Sequence, residues 1–372
     1  MNRLKEVAIV FSKLGFLGFG GPMVHIAMME EEVVRKRKWM THEHFLDLIG
    51  ATNLIPGPNS TEMALHCGKE RAGWKGLLLA GAFFILPAVL ITGVFAWLYQ
   101  EYGTSPKVEP FIYGIKPAIV GVITSLMITL SKKAIKSMEL AIIAIAAMGL
   151  AIAGVNEVII LFGLGAVGMG IYAIKTRPDK LVSFIPLLFA IPLTTNSKPT
   201  NWKIFWIFLK VGSILYGSGY VLFSFLNSEL VKPGLLAQQI LTDAIAVGQF
   251  TPGPVFSSAT FIGWQMNGAS GAALATLGLF PPSFLCVGLL NPLVYRLRTS
   301  KVLSAFLDAV NVTAIALILI VCYDLGRSAI SSWQTMVIAV LGFAVSFYFK
   351  KLNTAFVIIV GALLGYILYL IY

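Results

Sequence analysis

The sequence predicts an all-α polytopic membrane protein: two inverted-topology repeats, about ten transmembrane helices, and two re-entrant helical hairpins broken at Pro-Gly-Pro. Three observations predict it. Of 372 residues, 57% are hydrophobic and only 12% charged, with a mean hydropathy of +0.83; soluble domains carry about 25% charged residues. The apolar residues fall in runs near the roughly 20 that a helix needs to cross a hydrocarbon core. Finally, Asn53-Leu54-Ile55-Pro56-Gly57-Pro58-Asn59-Ser60 recurs as Gln249-Phe250-Thr251-Pro252-Gly253-Pro254-Val255-Phe256. Each proline lacks an N–H, and its ring crowds the preceding turn, so neither segment continues a regular helix.

The recurrence extends beyond these segments. Phe11, Lys13 and Gly15 match Phe208, Lys210 and Gly212 at a shift of 197, and so do Gly20 with Gly217 and Glu32 with Glu229. Asp47 matches Asp243 and Asn53 matches Gln249 at a shift of 196. One residue of drift over that distance is what a duplicated half shows. The first repeat covers residues 1–180, a linker 181–203, and the second repeat 204–372.

In order, a first span from about Val7 to Met29 is interrupted at Gly18-Phe19-Gly20-Gly21-Pro22. The N-terminus, basic then apolar, reads as mature sequence because Lys13 interrupts the apolar run. Thr41 caps a half-helix from His42 to Ile55; after the break, Asn59 to Cys67 runs toward Lys69, Arg71 and Lys75. Basic flanks on both sides favour a re-entrant hairpin over a single broken crossing. Spans at Gly76–Tyr99, Pro110–Leu130, Met138–Gly154 and Val158–Ile174 complete the half. In the junction, Leu181–Leu193 is too short to span, and Pro192–Thr200 reads as linker. The second half repeats the pattern: a span at Ile204–Leu226, a hairpin at Leu236–Trp264, and spans at Ala269–Tyr295, Leu303–Tyr323, Trp333–Phe349 and Asn353–Tyr372. The first-repeat span at 76–99 begins beside Lys69, Arg71 and Lys75, whereas its partner ends in Arg296, Arg298 and Lys301. The positive-inside rule therefore orients them oppositely, with both termini outside.

Composition also excludes functions. The net charge of +11 sits in short loops between apolar runs and forms no nucleic-acid face. Cys67, Cys286 and Cys322 are scattered and read as buried thiols. His25, His42, His44 and His66 have no counterparts in the other repeat and do not suggest a metal centre. No cofactor and no ATP-binding motif is present.

The chemistry concentrates at the breaks. A half-helix start exposes unpaired N–H groups and a positive dipole end, a ready anion site. Gly20, Gly21, Asn53, Pro56, Gly57, Pro58, Asn59, Ser60 and Thr61 supply it in the first repeat. Gln249, Pro252, Gly253, Pro254, Ser257 and Ser258 supply it in the second. The same polar residues also serve simply as helix caps. Lys13 and Lys210 lie in apolar spans at matched places, where a lysine costs about 2.5–3.5 kcal/mol on insertion scales. They either face the substrate or reach outward to the interface; two cations and two helix ends suit a small dianion. Asp47, Asp243 and Glu62 are candidates to carry a coupling proton, and the two aspartates are alternatively partners for the lysines.

Phe19-Gly20-Gly21-Pro22, Glu32, Trp39, Phe45-Leu46-Asp47, Pro56-Gly57-Pro58-Asn59, Gly73-Trp74-Lys75-Gly76 and Pro87 resemble the chromate ion transporter family. The second half is similar through Gly217–Gly219, Asp243 and Thr251–Pro254. It departs where Ser218-Gly219-Tyr220 replaces Gly-Gly-Pro and Val255 replaces Asn59. The resemblance covers essentially the whole chain. It implies a multi-pass carrier of the cytoplasmic membrane that exports chromate, or a related oxyanion such as sulfate, using the proton gradient. A passive anion channel, or a membrane enzyme acting on a lipid phosphate, would use the same anion site. Association of two copies is left open.

Overall fold

The computed structural model describes residues 2–19, 21–52, 55–103, 105, 108–176, 200–216, 219, 221–298, 300–349 and 352–371, with backbone alone for 290–298 and 371. The expected interfacial piece Leu181–Leu193, most of the linker, and the site residues Gly20 and Asn53 lie outside them. The described residues are helical, with no strand. Five helical runs are long and apolar enough to cross a membrane: Asn59–Tyr102, Glu109–Ala134, Glu157–Thr176, Val255–Leu289 and Lys301–Ala329.

The first repeat opens with α1 (Arg3–Leu17), which stops at Gly18, and α2 (Pro22–Met29), started by a proline in its first turn after Gly21 at φ +83°. Proline suits that position because the missing N–H has no intrahelical partner there. A π-helical stretch, Glu30–Lys36, continues α2. Next comes α3 (His42–Thr52), then the unwound Pro-Gly-Pro, then α4 (Asn59–Tyr102). The second repeat follows the same plan with α8 (Asn201–Ile214), α9 (Val221–Leu226), a π-stretch at Asn227–Val231, α10 (Gln238–Phe250), a 3₁₀ turn at Val255–Ser257 and α11 (Ser258–Leu279). The paired π-stretches are not visible in an apolar pattern.

α4 is not one straight rod. Ala72 and Gly73 leave helical angles, with Gly73 at φ +63°, as do Asn267 and Gly268 in α11, with Gly268 at φ +58°. Gly68 touches Gly76 and Gly263 touches Gly271 through backbone. Residues eight apart on a straight helix are separated by about 12 Å. Each helix therefore folds back on itself at a glycine that tolerates positive φ. Sequence places a single span at Ala269–Tyr295; within it the chain bends at Phe280 and restarts as α12 (Pro281–Arg298). Two consecutive prolines remove two helical donors there, whereas the single Pro87 is absorbed within α4.

The remaining helices are α5 (Glu109–Ala134), α6 (Met138–Ile152) and α7 (Glu157–Thr176) in the first repeat, and α13 (Lys301–Ala329), α14 (Trp333–Tyr348) and α15 (Thr354–Ile371) in the second. They pack reciprocally: α5 lies against α14 and α15, α13 lies against α6 and α7, and α5 meets α13. Small residues make these contacts close. Gly114 meets the backbone of Gly361 and Gly365, a Gly-x-x-x-Gly pair on α15, and Gly121 meets Ala339 on α14. In a hydrocarbon solvent such packing, rather than the hydrophobic effect, holds helices together.

Candidate functional site

The breaks meet across the repeats. The Gly57 N–H donates to the Leu215 carbonyl at 2.7 Å, and the Gly253 N–H donates to the Gly18 carbonyl at 2.8 Å. Leu215 and Gly18 are the points where α8 and α1 stop. Each Pro-Gly-Pro thus satisfies a carbonyl left open at the end of the other repeat's first helix. The two glycines sit at φ +140° and +84°, which other residues rarely adopt. Gly57 faces Ser283 and Glu62, and Gly253 faces Ala88.

Three helical starts lie at these crossings: α2 after Gly21, α4 after Pro58, and the 3₁₀ turn after Pro254. None receives a side-chain cap. Pro56, Gly57, Pro58, Pro252, Gly253 and Pro254 are all buried, as are Ser60, Thr61, Ser257 and Ser258. At the second break the hydroxyls bond one another: Thr92 donates to Ser257 Oγ at 3.0 Å, and Thr251 lies 3.4 Å from Ser257 Oγ. At the first break they do not. Among the described residues, Thr61 Oγ1, both Glu62 oxygens, both His66 ring nitrogens and Ser283 Oγ are buried without a hydrogen-bond partner, and so is Ser258 Oγ at the second. Asn59 is half-buried at the start of α4, and Gln249 is buried near the end of α10. His25 closes the interruption at Gly18, its Nε2 lying 2.8 Å from the carbonyl that Gly253 also bonds.

The lysines have a different partner from the one the sequence suggests. Lys13 Nζ bonds Glu32 Oε1 at 2.7 Å, and Lys210 Nζ bonds Glu229 Oε1 at 2.7 Å. Both glutamates stand on the π-stretches. Glu32 also lies 3.4 Å from Lys36 and 3.5 Å from Arg37. Lys13 is half-exposed and lines an open cavity of about 510 Å³ with Met23, Val24, Met28 and Glu32; Lys210 is less exposed, at 23% of its side chain against 48%. Asp243 is not a partner of Lys210. It accepts from the Tyr99 hydroxyl at 2.6 Å and lies 3.5 Å from Lys116 of α5. Asp47, its counterpart, is exposed.

Sequence reasoning therefore missed Lys116, Tyr99, His66 and Ser283. Lys116 carried a usable signal, because a cation beside Pro117 in an apolar span demands a partner. Glu32 and Glu229 repeat at the same shift as the lysines they bind. Among the described residues no cluster of metal-binding side chains occurs.

Two repeats of long apolar helices, broken and cross-docked where they meet, define a multi-pass membrane transporter rather than an enzyme. The particular kind follows from its relatives. The chain belongs to the chromate transporter family, whose profile matches residues 5–169 and again 202–366. It is 29% identical over 379 residues to the probable chromate transport protein of Synechococcus elongatus, covering 98% of this chain and 95% of that one. It is 28% identical to the chromate transport protein of Cupriavidus metallidurans, covering 98% and 93%. An uncharacterized transporter of Methanocaldococcus jannaschii is 27% identical, covering 98% and 94%. No solved structure matches the chain.

Proposed function

We propose that the chain is a secondary active transporter that exports chromate, or a related oxyanion such as sulfate, across the cytoplasmic membrane, coupled to the proton gradient. The observation that carries this reading is the reciprocal docking of the two breaks. It gathers uncapped half-helix starts and buried hydroxyls where the repeats meet, and an oxyanion needs N–H and O–H donors in such a place. The chromate transport proteins among its full-length relatives supply the cargo.

In this reading the anion is held by the backbone after Gly21, Pro58 and Pro254, with Gly20, Asn53, Pro56, Gly57, Asn59, Ser60 and Thr61 on one side. Gln249, Pro252, Gly253, Ser257 and Ser258 stand on the other. Lys13 and Lys210, already held by Glu32 and Glu229, tune the field at a distance or release to the anion during the cycle. Asp47, Asp243 and Glu62 are the acids available to a coupling proton. The repeats, residues 1–180 and 204–372 with a linker between them, run oppositely through the membrane, in ten crossings and two re-entrant hairpins. The reciprocal packing of α5 and α13, and the basic ends at opposite termini of equivalent helices, support that arrangement.

The test is a proteoliposome assay with chromate, sulfate and an internal pH dye. Saturable chromate flux with proton movement is expected. Flux at full rate without any ion gradient to drive it would favour a channel, and absence of flux for either anion would reject the reading.

A further inference from the structure

Three acids stand near the breaks, and their surroundings separate them. Asp47 is exposed. Asp243 is occupied, by the Tyr99 hydroxyl and the Lys116 ammonium. Glu62 is neither. It lies in the first turn of α4 with no exposed surface, and among the described residues neither carboxyl oxygen meets a hydrogen-bond donor. Oε1 and Ser283 Oγ both lie within 2.5 Å of the point that a Cβ would take on Gly57. The two oxygens therefore converge on one small volume over the first break, and Ser283 is itself buried and unpartnered. The second repeat has no such acid, because Ser258 stands where Glu62 would recur, at the shift of 196 that relates the two Pro-Gly-Pro segments.

The groups facing Glu62 leave it without a fixed counter-charge. His66 lies one turn along α4 with both ring nitrogens unpartnered. Tyr216 approaches from the end of α8 and Cys286 from α12. Lys69, two turns along, is turned away, its ammonium donating to the carbonyls of Val287 and Gly288 at 3.1 and 2.8 Å. A bare carboxylate in such surroundings takes up a proton or a cation rather than remain charged and desolvated.

Resting on the transporter reading above, we propose that Glu62 alone carries the coupling proton, so that the first break holds the proton beside its share of the anion's donors, while the second break, with hydroxyls and no acid, serves the anion only. The proton binds a Glu62 carboxylate oxygen while the site is closed. It leaves to water when the crossing opens, and the carboxylate that remains accepts from Ser283 and from the positive end of α4. Duplication gave two crossings with the same backbone hydrogen bond, and the difference between Glu62 and Ser258 divides their labour.

The experiment is carbodiimide labelling of the purified chain, read by mass spectrometry across pH, because the reagent modifies protonated buried carboxyls. Label on Glu62 that declines as pH rises, with Asp243 unlabelled, is expected. Label on Asp243 but never on Glu62 overturns the assignment. Protection of Glu62 by sodium at fixed pH would make this an alkali-cation site and overturn it equally. In proteoliposomes, Glu62→Gln should lower pH-driven chromate uptake at least tenfold further than it lowers chromate exchange at equal pH; an equal fall in both, with Glu62→Asp restoring neither, contradicts the proposal. Should the native chain move no chromate at all, the cargo reading fails while the labelling still decides the proton site.

Discussion

The two breaks share a backbone and differ in chemistry. Gly57 and Gly253 make the same crossed hydrogen bond, to Leu215 and Gly18, at 2.7 and 2.8 Å. Lys13 and Lys210 make the same ion pair, with the same 19-residue spacing. Yet the first break buries an acid and an imidazole without partners among the described residues, and the second buries hydroxyls that bond one another. Asp47 faces outward where Asp243 is locked to Lys116. The comparison teaches that what a duplicated fold keeps is set by proline and glycine, whose constraints are steric and tolerate no substitute. What it lets drift is the set of side chains that fill the resulting site.

Substitutions at matched positions sharpen this contrast. The largest difference is expected between the aspartates. Removing one partner of a buried pair leaves an uncompensated charge, at a cost of about 3–5 kcal/mol. Asp243→Ala should therefore lower the melting temperature of the purified protein strongly, while Asp47→Ala, at an exposed position where charge pairing is worth little, should lower it much less. A Lys116→Met/Asp243→Asn double variant should recover much of the loss, since no bare charge remains; equal effects of the two single aspartate variants would erase the asymmetry between repeats.

The lysines come next. Lys210→Ala should reduce chromate flux more than Lys13→Ala, because Lys210 is the less exposed and, among the described residues, Glu229 pairs with no second cation, whereas Glu32 keeps Lys36 and Arg37. The charge swap Lys210→Glu/Glu229→Lys should restore part of the flux. Wild-type rates in both alanine variants would remove the lysines from the mechanism.

The smallest effects are expected at the hydroxyls. Ser257→Ala breaks the bond with Thr92 and should cost about 1 kcal/mol of stability. Thr61→Val breaks no hydrogen bond among the described residues and keeps the side-chain volume, so it should leave stability nearly unchanged, yet weaken chromate affinity in a flux titration. A stability loss at Thr61 as large as that at Ser257 would mean that it caps α4 rather than facing a ligand.

Much of this architecture was legible in the sequence, because its signals are local. Pro-Gly-Pro forbids helix wherever it sits, apolar run lengths report the solvent, and a constant shift of 196 to 197 exposes the duplication. Long-range pairing was not legible. Lys116 and Asp243 come from different repeats, and nothing local brings them together. Glu32 and Glu229 repeated at the right shift, but a π-stretch adds a residue per turn. A helical wheel therefore misplaces the face they present, and the aspartates look like better partners. The bend at Phe280 was hidden because Pro281 and Pro282 lie within an unbroken apolar run.

The central claim is that the crossed Pro-Gly-Pro segments form the transport site. The most direct test is pH-driven chromate flux in proteoliposomes carrying Gly57→Ala or Gly253→Ala, each confirmed as folded by its elution and melting profile. A methyl group at Gly57 meets Ser283 and Glu62, and at Gly253 it meets Ala88 at 2.9 Å, at backbone angles that alanine rarely adopts. At least a tenfold loss of flux is predicted for each variant; native flux from either one would show that transport does not pass through the crossing.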